Sequence, residues 1–385
     1  VVQTFRVFDL WRDTWFDADG NWLGGELPLP GADMALPAVE GPDGLPDDVY
    51  LDLLDAANQM VEAEDLASMP VRALAVAATR AGNVSLEDVQ ALVTAADEAM
   101  AEGVTGLAQA ASFLLTGVAE GAEQIGDILL SASATKSYAL LAARFRRHPL
   151  DAEALRTAAD LFRMLGNQEA EVATCLLEQG RALRSIGEYD QAIAVLDEAE
   201  LLLAAQGRTL DTADSQLIRG EARYESGDPS GALSDLAEAE RGFRAVGIEV
   251  LADRAAYQRG RALHQLGKLK SALKAFNTAR VGCAARGDIG GQADADMARA
   301  RVLFDLDRAG DALRAIDSAQ VLYVKAGDEY YVGHCHLVRA YILGGIGRSS
   351  EAQRQLTAAR RIFAAFGDDA SVERCKRFAA QIRRG

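Results

Sequence analysis

AYQRGRALHQLGKLKSALKAFNTARVGCAARG, residues 256–287, decides the architecture of this chain. Two runs lie in it, and each ends on a glycine, Gly267 and Gly287. A glycine just past a periodic run marks a helix C-terminus, because the residue after the last turn commonly takes left-handed backbone that only glycine adopts without steric cost. In the second run Ala272, Phe276 and Ala279 fall at i, i+4 and i+7, which is one apolar stripe on a helix. Gly260 stands inside the first run, where glycine costs about 1 kcal/mol relative to alanine, so its place calls for close packing that compensates. The segment reads helix, turn, helix.

Outward from it the same pattern recurs every 40 residues. Gly187, Gly227, Gly267 and Gly347 keep the register, with Asp307 in the one remaining slot, and Gly207, Gly247, Gly287, Gly327 and Gly367 form an unbroken second series. Ala192, Ala232, Ala272, Ala312 and Ala352 run in parallel with Ala199, Ala239, Ala279, Ala319 and Ala359. Between these two ladders sits a larger apolar residue, Leu196, Leu236, Phe276, Ile316 or Leu356. On the first helix a small residue recurs at Gly180, Gly220, Gly260, Ala300 and Ala340. Self-similarity at a fixed period is the mark of a repeat array, whose units bury their apolar faces only against neighbours.

The small residue, the alanine twelve positions on, the bulky apolar four later and the alanine three later resemble the tetratricopeptide repeat family, most clearly in Gly260, Ala272, Phe276 and Ala279. The resemblance covers about 168–385 and departs from the family in two ways. The period is 40 rather than 34, and the aromatic expected early in the first helix is replaced by Leu176, Gln216, Ala256, Asp296 and His336. The resulting expectation is an all-α protein, an α-solenoid of stacked helix-turn-helix repeats with a divergent, acidic, mostly helical N-terminal region. Its expected divisions are an arm over 1–48, a divergent helical region over 49–134, a divergent helix pair over 135–168, and five repeats with a C-terminal capping helix over 169–385.

Composition agrees with the all-α class: 49% apolar residues, 6% aromatics and eight prolines suit closely packed helix pairs better than a sandwich or barrel. The formal charge of -17 argues against a nucleic-acid partner, which needs a basic face. Acid is concentrated early, with 23 acidic against four basic residues up to Thr135. Cys175, Cys283, Cys335 and Cys375 have no framework-like spacing, and the opening VVQTFRVFDLWRDTWF carries acids where an export signal needs a basic region. The chain is therefore read as cytoplasmic, and its missing initiator Met as a mark of a trimmed or partial chain. Gly103 to Ala119 is the longest uncharged stretch, at 17 residues too short for a span, and reads as a core helix, so no membrane partner is expected. Arginine outnumbers lysine 34 to six, a bias of GC-rich bacterial genomes.

The arm holds Trp11, Trp15 and Trp22 and five of the eight prolines. It reads either as an apolar cap on the array or as a segment that occupies a groove, its own or that of a second copy, which would give self-association. Beyond it, Gly82 is a stop signal and Ser85, Leu86, Glu87, Asp88 a capping box; Thr135 to Arg147 and Asp151 to Leu165, closed by Gly166, read as a helix pair.

If family positions carry over, the open concave face takes Arg181, Leu217, Glu221, Tyr224, Tyr257, Arg261, His264, Met297, Arg301, Phe304 and Tyr341, a mixed surface suited to a peptide with apolar and acidic side chains. Arg219, Arg259, Arg299 and Arg339 keep the 40-residue period and form a candidate receptor row for carboxylates or phosphates. The competing role is structural, each arginine pairing with an acid such as Glu221, Asp253 or Asp296.

His334, Cys335 and His336 cannot all face one ion, because adjacent helix positions point about 100° apart. Asp17, Asp19, Gly20 and Asn21 imitate a calcium loop, but its glycine and glutamate positions hold Trp22 and Pro28. No metal, cofactor or catalytic residue is assigned, since no phosphate loop, HExxH or GxSxG occurs. The function expected is a scaffold that binds a protein or peptide through the concave face. The alternatives are the recognition half of a larger bacterial regulator, and an enzyme hidden in 1–135.

Overall fold

The computed structural model describes residues 75–384 apart from 77, 102–104 and 145–147. The arm over 1–48, its tryptophans, the imitation calcium loop and 49–74 all lie outside the described residues. Fifteen helices follow one another from Leu86 on: α1 (Leu86–Ala101), α2 (Thr105–Ile125), α3 (Ile128–Arg144), α4 (His148–Leu165), α5 (Glu169–Ser185), α6 (Tyr189–Ala205), α7 (Thr209–Glu225), α8 (Pro229–Ala245), α9 (Glu249–Gln265), α10 (Leu269–Arg286), α11 (Ile289–Asp305), α12 (Ala309–Ala326), α13 (Glu329–Gly345), α14 (Ser349–Ala365) and α15 (Asp369–Arg384). No described residue lies in a strand. The architecture is an α-solenoid of helix-turn-helix repeats.

The repeat ladders become its core. All ten ladder alanines are fully buried, and Leu196, Leu236, Phe276, Ile316 and Leu356 between them are at most 2% exposed. A Cβ placed on Gly260 would stand 2.7 Å from the Phe276 ring, and one on Gly220 or Gly180 would stand 2.7 or 2.4 Å from Cγ of Leu236 or Leu196. The small residue of each first helix is thus the socket for the large residue sixteen positions later. Burial of a side chain the size of phenylalanine or leucine contributes about 2 kcal/mol, more than a helical glycine costs.

The turns of the repeats are two or three residues long, because one residue ends a helix and the next begins another. Gly267 takes φ +69° and donates to the His264 carbonyl, while the Lys268 N–H donates to the Leu263 carbonyl. Asp307 repeats this geometry at φ +58°, with the Arg308 N–H on the Leu303 carbonyl. At four turns the residue after the glycine is an aspartate that caps the following helix: Asp228, Asp288, Asp328 and Asp368 accept from backbone N–H groups three residues on, at 2.8 to 3.2 Å. Each such cap contributes about 1 kcal/mol.

The chain divides into two compact units, 1–218 and 219–385, with the division inside α7. In the first unit α1, α2 and α3 close around Val89, Ala96, Leu115 and Leu130, and a second cluster gathers α4, α5 and α6 around Phe162, Leu176 and Leu196. The Ser85 box forms, its N–H donating to Asp88 Oδ2 at 2.7 Å and the Asp88 N–H to Ser85 Oγ at 3.3 Å. α3 begins at Ile128, so a boundary between 134 and 135 would cut a helix. The turn is set earlier, by Gly126 and by Asp127, which accepts from the Leu130 N–H. From Thr105 on the uncharged stretch lies in α2, which runs past it through Glu120 and Glu123 to Ile125, with Leu115 and Val118 buried, and no described helix is long and apolar enough to cross a membrane. In the second unit α8 to α14 continue the pattern, and α15 lays Cys375, Phe378 and Ile382 on the last hairpin with Lys376, Arg377 and Arg383 outward.

Candidate partner-binding face

Consecutive first helices of the second unit are joined by a row of side-chain contacts. The Arg261 guanidinium lies 4.6 Å from the Tyr224 ring centroid, joining α9 to α7. His264 Nε2 lies 2.6 Å from Asp305 Oδ2, joining α9 to α11. The Phe304 ring presses on α13 at Gly345, where a Cβ would meet it at 2.3 Å. Tyr341 stacks on Phe378 of α15 with ring centroids 4.1 Å apart. These contacts join residues 37 or 41 positions apart, so successive units bring nearly equivalent positions of their first helices together.

Tyr224, Tyr257, Arg261, His264, Met297 and Phe304 are half-buried, and Arg301 and Tyr341 are exposed. Tyr257 sets its ring edge-on to Phe276 at 5.3 Å, and burial pushes its phenol up to about 12, so it remains a neutral donor. Arg181, in the first unit, donates to Asp214 at 2.6 Å and Glu178 at 3.1 Å. Two of the expected residues are placed otherwise. Leu217 and Glu221 are each 2% exposed; Leu217 is apolar and packs inward, and Glu221 is turned in by Arg254 and Gln258, which donate to it at 2.9 to 3.1 Å.

Every arginine of the 40-residue row has a carboxylate. Arg219 donates to Asp235 at 2.7 Å, Arg259 to Glu240 at 2.5 Å, Arg299 to Asp296 and Arg339 to Asp317. Of the partners suggested by sequence only Asp296 belongs to the row, since Glu221 is held by Arg254 and Asp253 by Arg286 at 2.6 Å. Asp296, with no exposed surface, also accepts from Arg280 at 2.8 Å and Ser318 at 2.8 Å. These two, with Arg308, Arg314 and Lys274 nearby, escaped the sequence reading. The basic residue at Lys274, Arg314 and Arg354, in register on the second helices, was the available signal.

All four cysteines are buried free thiols, and burial pushes Cys175 and Cys335 up to about 12. His334 is packed between Tyr330, Tyr331 and Phe363, whereas His336 bonds Gln355 at 2.6 Å, so the two rings serve different environments. No group of three metal-ligating side chains occurs among the described residues.

No protein-family model matches the chain, and no curated protein matches it in sequence. Solved structures match its fold. A signal-transduction ATPase with numerous domains and a tetratricopeptide repeat sensor, from Pyrococcus horikoshii, is similar over 88% of this chain and 50% of its own, at TM-score 0.59 and 12% identity. The apo form of RapI is similar over 66% of this chain and 97% of its own, at TM-score 0.51 and 12% identity. Aspartyl phosphate phosphatase F from Bacillus subtilis is similar over 72% and 76%, at TM-score 0.50 and 10% identity. At these identities the likeness is one of fold, the tetratricopeptide-like α-solenoid.

Proposed function

We propose that the chain is a binding scaffold whose first-helix face in the second unit takes a peptide or a protein segment. The observation that supports this most is the row of half-exposed aromatic and cationic side chains, Tyr224 with Arg261 and Tyr341 with Phe378 among them, on helices held at fixed spacing. Aromatic and arginine side chains carry most of the energy at protein interfaces, and a rigid array presents them with little ordering cost on binding. Arg261 and Arg301 favour a ligand with acidic as well as apolar side chains. No reaction, metal or cofactor is part of this reading. Four free thiols fit a reducing, cytoplasmic setting.

A second reading has one observation of its own. The chain matches half the length of an ATPase described as having numerous domains and a tetratricopeptide repeat sensor, which fits a recognition portion of a larger regulator.

Selection of a random peptide library on the full-length chain tests the first reading. Enriched peptides should bind the wild type and lose at least about tenfold in affinity on Tyr224→Ala with Arg301→Glu. Failure of any sequence to enrich, or enrichment indifferent to both substitutions, would remove the first-helix face from consideration.

A further inference from the structure

Two clefts open in the second unit, and they are the same cleft one repeat apart. The first lies among α8, α9 and α10 and encloses about 430 Å³; the second lies among α10, α11 and α12 and encloses about 350 Å³. Arg259, Lys274 and Thr278 of the first correspond to Arg299, Arg314 and Ser318 of the second, each 40 residues on. The shared helix α10 gives one flank to each.

Both clefts are cationic in a chain whose formal charge is -17. Arg244, Arg259 and Lys274 face Glu240 in the first; Arg280, Arg299, Arg308 and Arg314 face Asp296 and Asp311 in the second. Each therefore keeps two positive charges beyond its own carboxylates. Lys274 and Arg314 stand exposed at equivalent points of α10 and α12. Deeper in, Nε of Arg259 and Nε of Arg299 are both buried and have no acceptor. A buried N–H without a partner is uncommon in folded proteins, and here it recurs in the same register in both clefts.

We propose that the two clefts form a bivalent receptor for an acidic polypeptide segment, one side-chain carboxylate entering each. Equivalent helices of the two clefts have one helix between them, and with packed neighbours about 10 Å apart the two clefts are at most about 20 Å apart, which an extended chain covers in about six residues. The lining favours a carboxylate on a side-chain stem, because Leu273, Leu303 and Ala315 supply apolar wall beside the guanidinium groups. Nucleic acid is disfavoured, since the overall charge repels a polyanion and two excess charges per cleft neutralise few phosphates. The lining is drawn from both helices of each repeat and includes none of Tyr224, Tyr257, Arg261, His264, Met297, Arg301, Phe304 or Tyr341, so the assignment does not rest on the role proposed for the first-helix face.

The test is titration of the full-length chain with a fluorescent (Glu-Ser-Gly)4 peptide, with (Gln-Ser-Gly)4 as the uncharged control and inorganic pyrophosphate as the small-anion probe. The glutamate peptide should bind in a salt-dependent manner and the glutamine peptide should not. Lys274→Glu and Arg314→Glu, both at exposed positions, should leave the circular dichroism spectrum unchanged and should each weaken binding about tenfold, and together abolish it. Tyr224→Ala with Arg301→Glu, at side chains outside both cleft linings, should leave it unchanged. The assignment is overturned if the two charge reversals bind like the wild type, or if the first-helix substitutions remove binding instead. Tighter binding of pyrophosphate, lost in the same variants, would make these phosphate sites and equally overturn it.

Discussion

Arg254 grips Glu221 with two parallel hydrogen bonds, Nε to Oε1 at 2.9 Å and Nη2 to Oε2 at 3.0 Å, and both side chains are buried. Forty residues earlier the same two slots hold Arg181 and Asp214, joined at 2.6 Å, so the positions are kept and the charges exchanged. A pair of this kind tolerates reversal but not the loss of one member.

Glu221→Gln should therefore destabilise the fold by about 3 kcal/mol, because a buried guanidinium is left without its charge partner. Glu221→Arg with Arg254→Asp, which copies the earlier unit, should recover most of that loss. Urea unfolding of the two singles and the double measures the coupling; additive losses would show that the pair does not act as a unit.

The Gly260 socket gives a second test. Gly260→Ala sets a methyl 2.7 Å from the Phe276 ring and should cost about 2 kcal/mol through overpacking, in spite of alanine's better helix propensity. Adding Phe276→Ile creates the pairing the next unit already uses, Ala300 with Ile316, and should return stability to within about 1 kcal/mol of the wild type. Thermal denaturation of the three variants decides it, and a Gly260→Ala protein as stable as the wild type would refute the close approach.

Asp307 occupies a turn position that Gly187, Gly227, Gly267 and Gly347 fill elsewhere, and it holds φ +58° with the same backbone hydrogen bonds as Gly267. A side chain in left-handed backbone is strained by about 1 kcal/mol. Asp307→Gly should raise stability by up to that amount, less the entropy glycine adds to the unfolded chain. A fall in the urea midpoint would mean that the aspartate's own interactions outweigh the strain.

This position also shows what the sequence makes legible. Glycine ends, alanine ladders and the large residue between them report backbone sterics, which repeat whenever the backbone repeats, and they specify the hairpins almost residue by residue. Polar partners follow no such rule. The row of arginines finds its acids at different places: Arg219 at Asp235 on the following helix, Arg259 at Glu240 on the preceding one, Arg299 at Asp296 on its own. A long guanidinium reaches any carboxylate on three helices, so period alone does not choose among them. The missing family aromatic has a similar cause. Gln216, Asp296 and His336 in that slot each bond a residue sixteen positions earlier, Glu200, Arg280 and Gln320, so a polar tie between neighbouring helices stands where ring packing was expected. The cationic clefts grow from the same polar register, which is why the ladders of small residues did not announce them.

His334 offers a pH-dependent readout of the last repeat. It sits against Tyr330, Tyr331 and Phe363, and burial, with Arg374 and Arg301 adding to it against Asp368 and Asp328, lowers its imidazole from an ordinary 6.5 to about 4. The unfolded chain thus binds a proton near pH 6.5 that the folded chain refuses until about pH 4. Stability from this group is complete above the unfolded value and is lost as pH falls through that window, by about 2 kcal/mol between pH 7.5 and 4.5. His334→Phe keeps an aromatic ring in the cage and removes the titration. Other carboxylates titrate in both proteins alike, so the difference in urea midpoint between wild type and variant isolates the histidine. That difference should shift toward the variant by this amount on acidification; a difference independent of pH would show that the ring is solvated enough to accept its proton in the folded state.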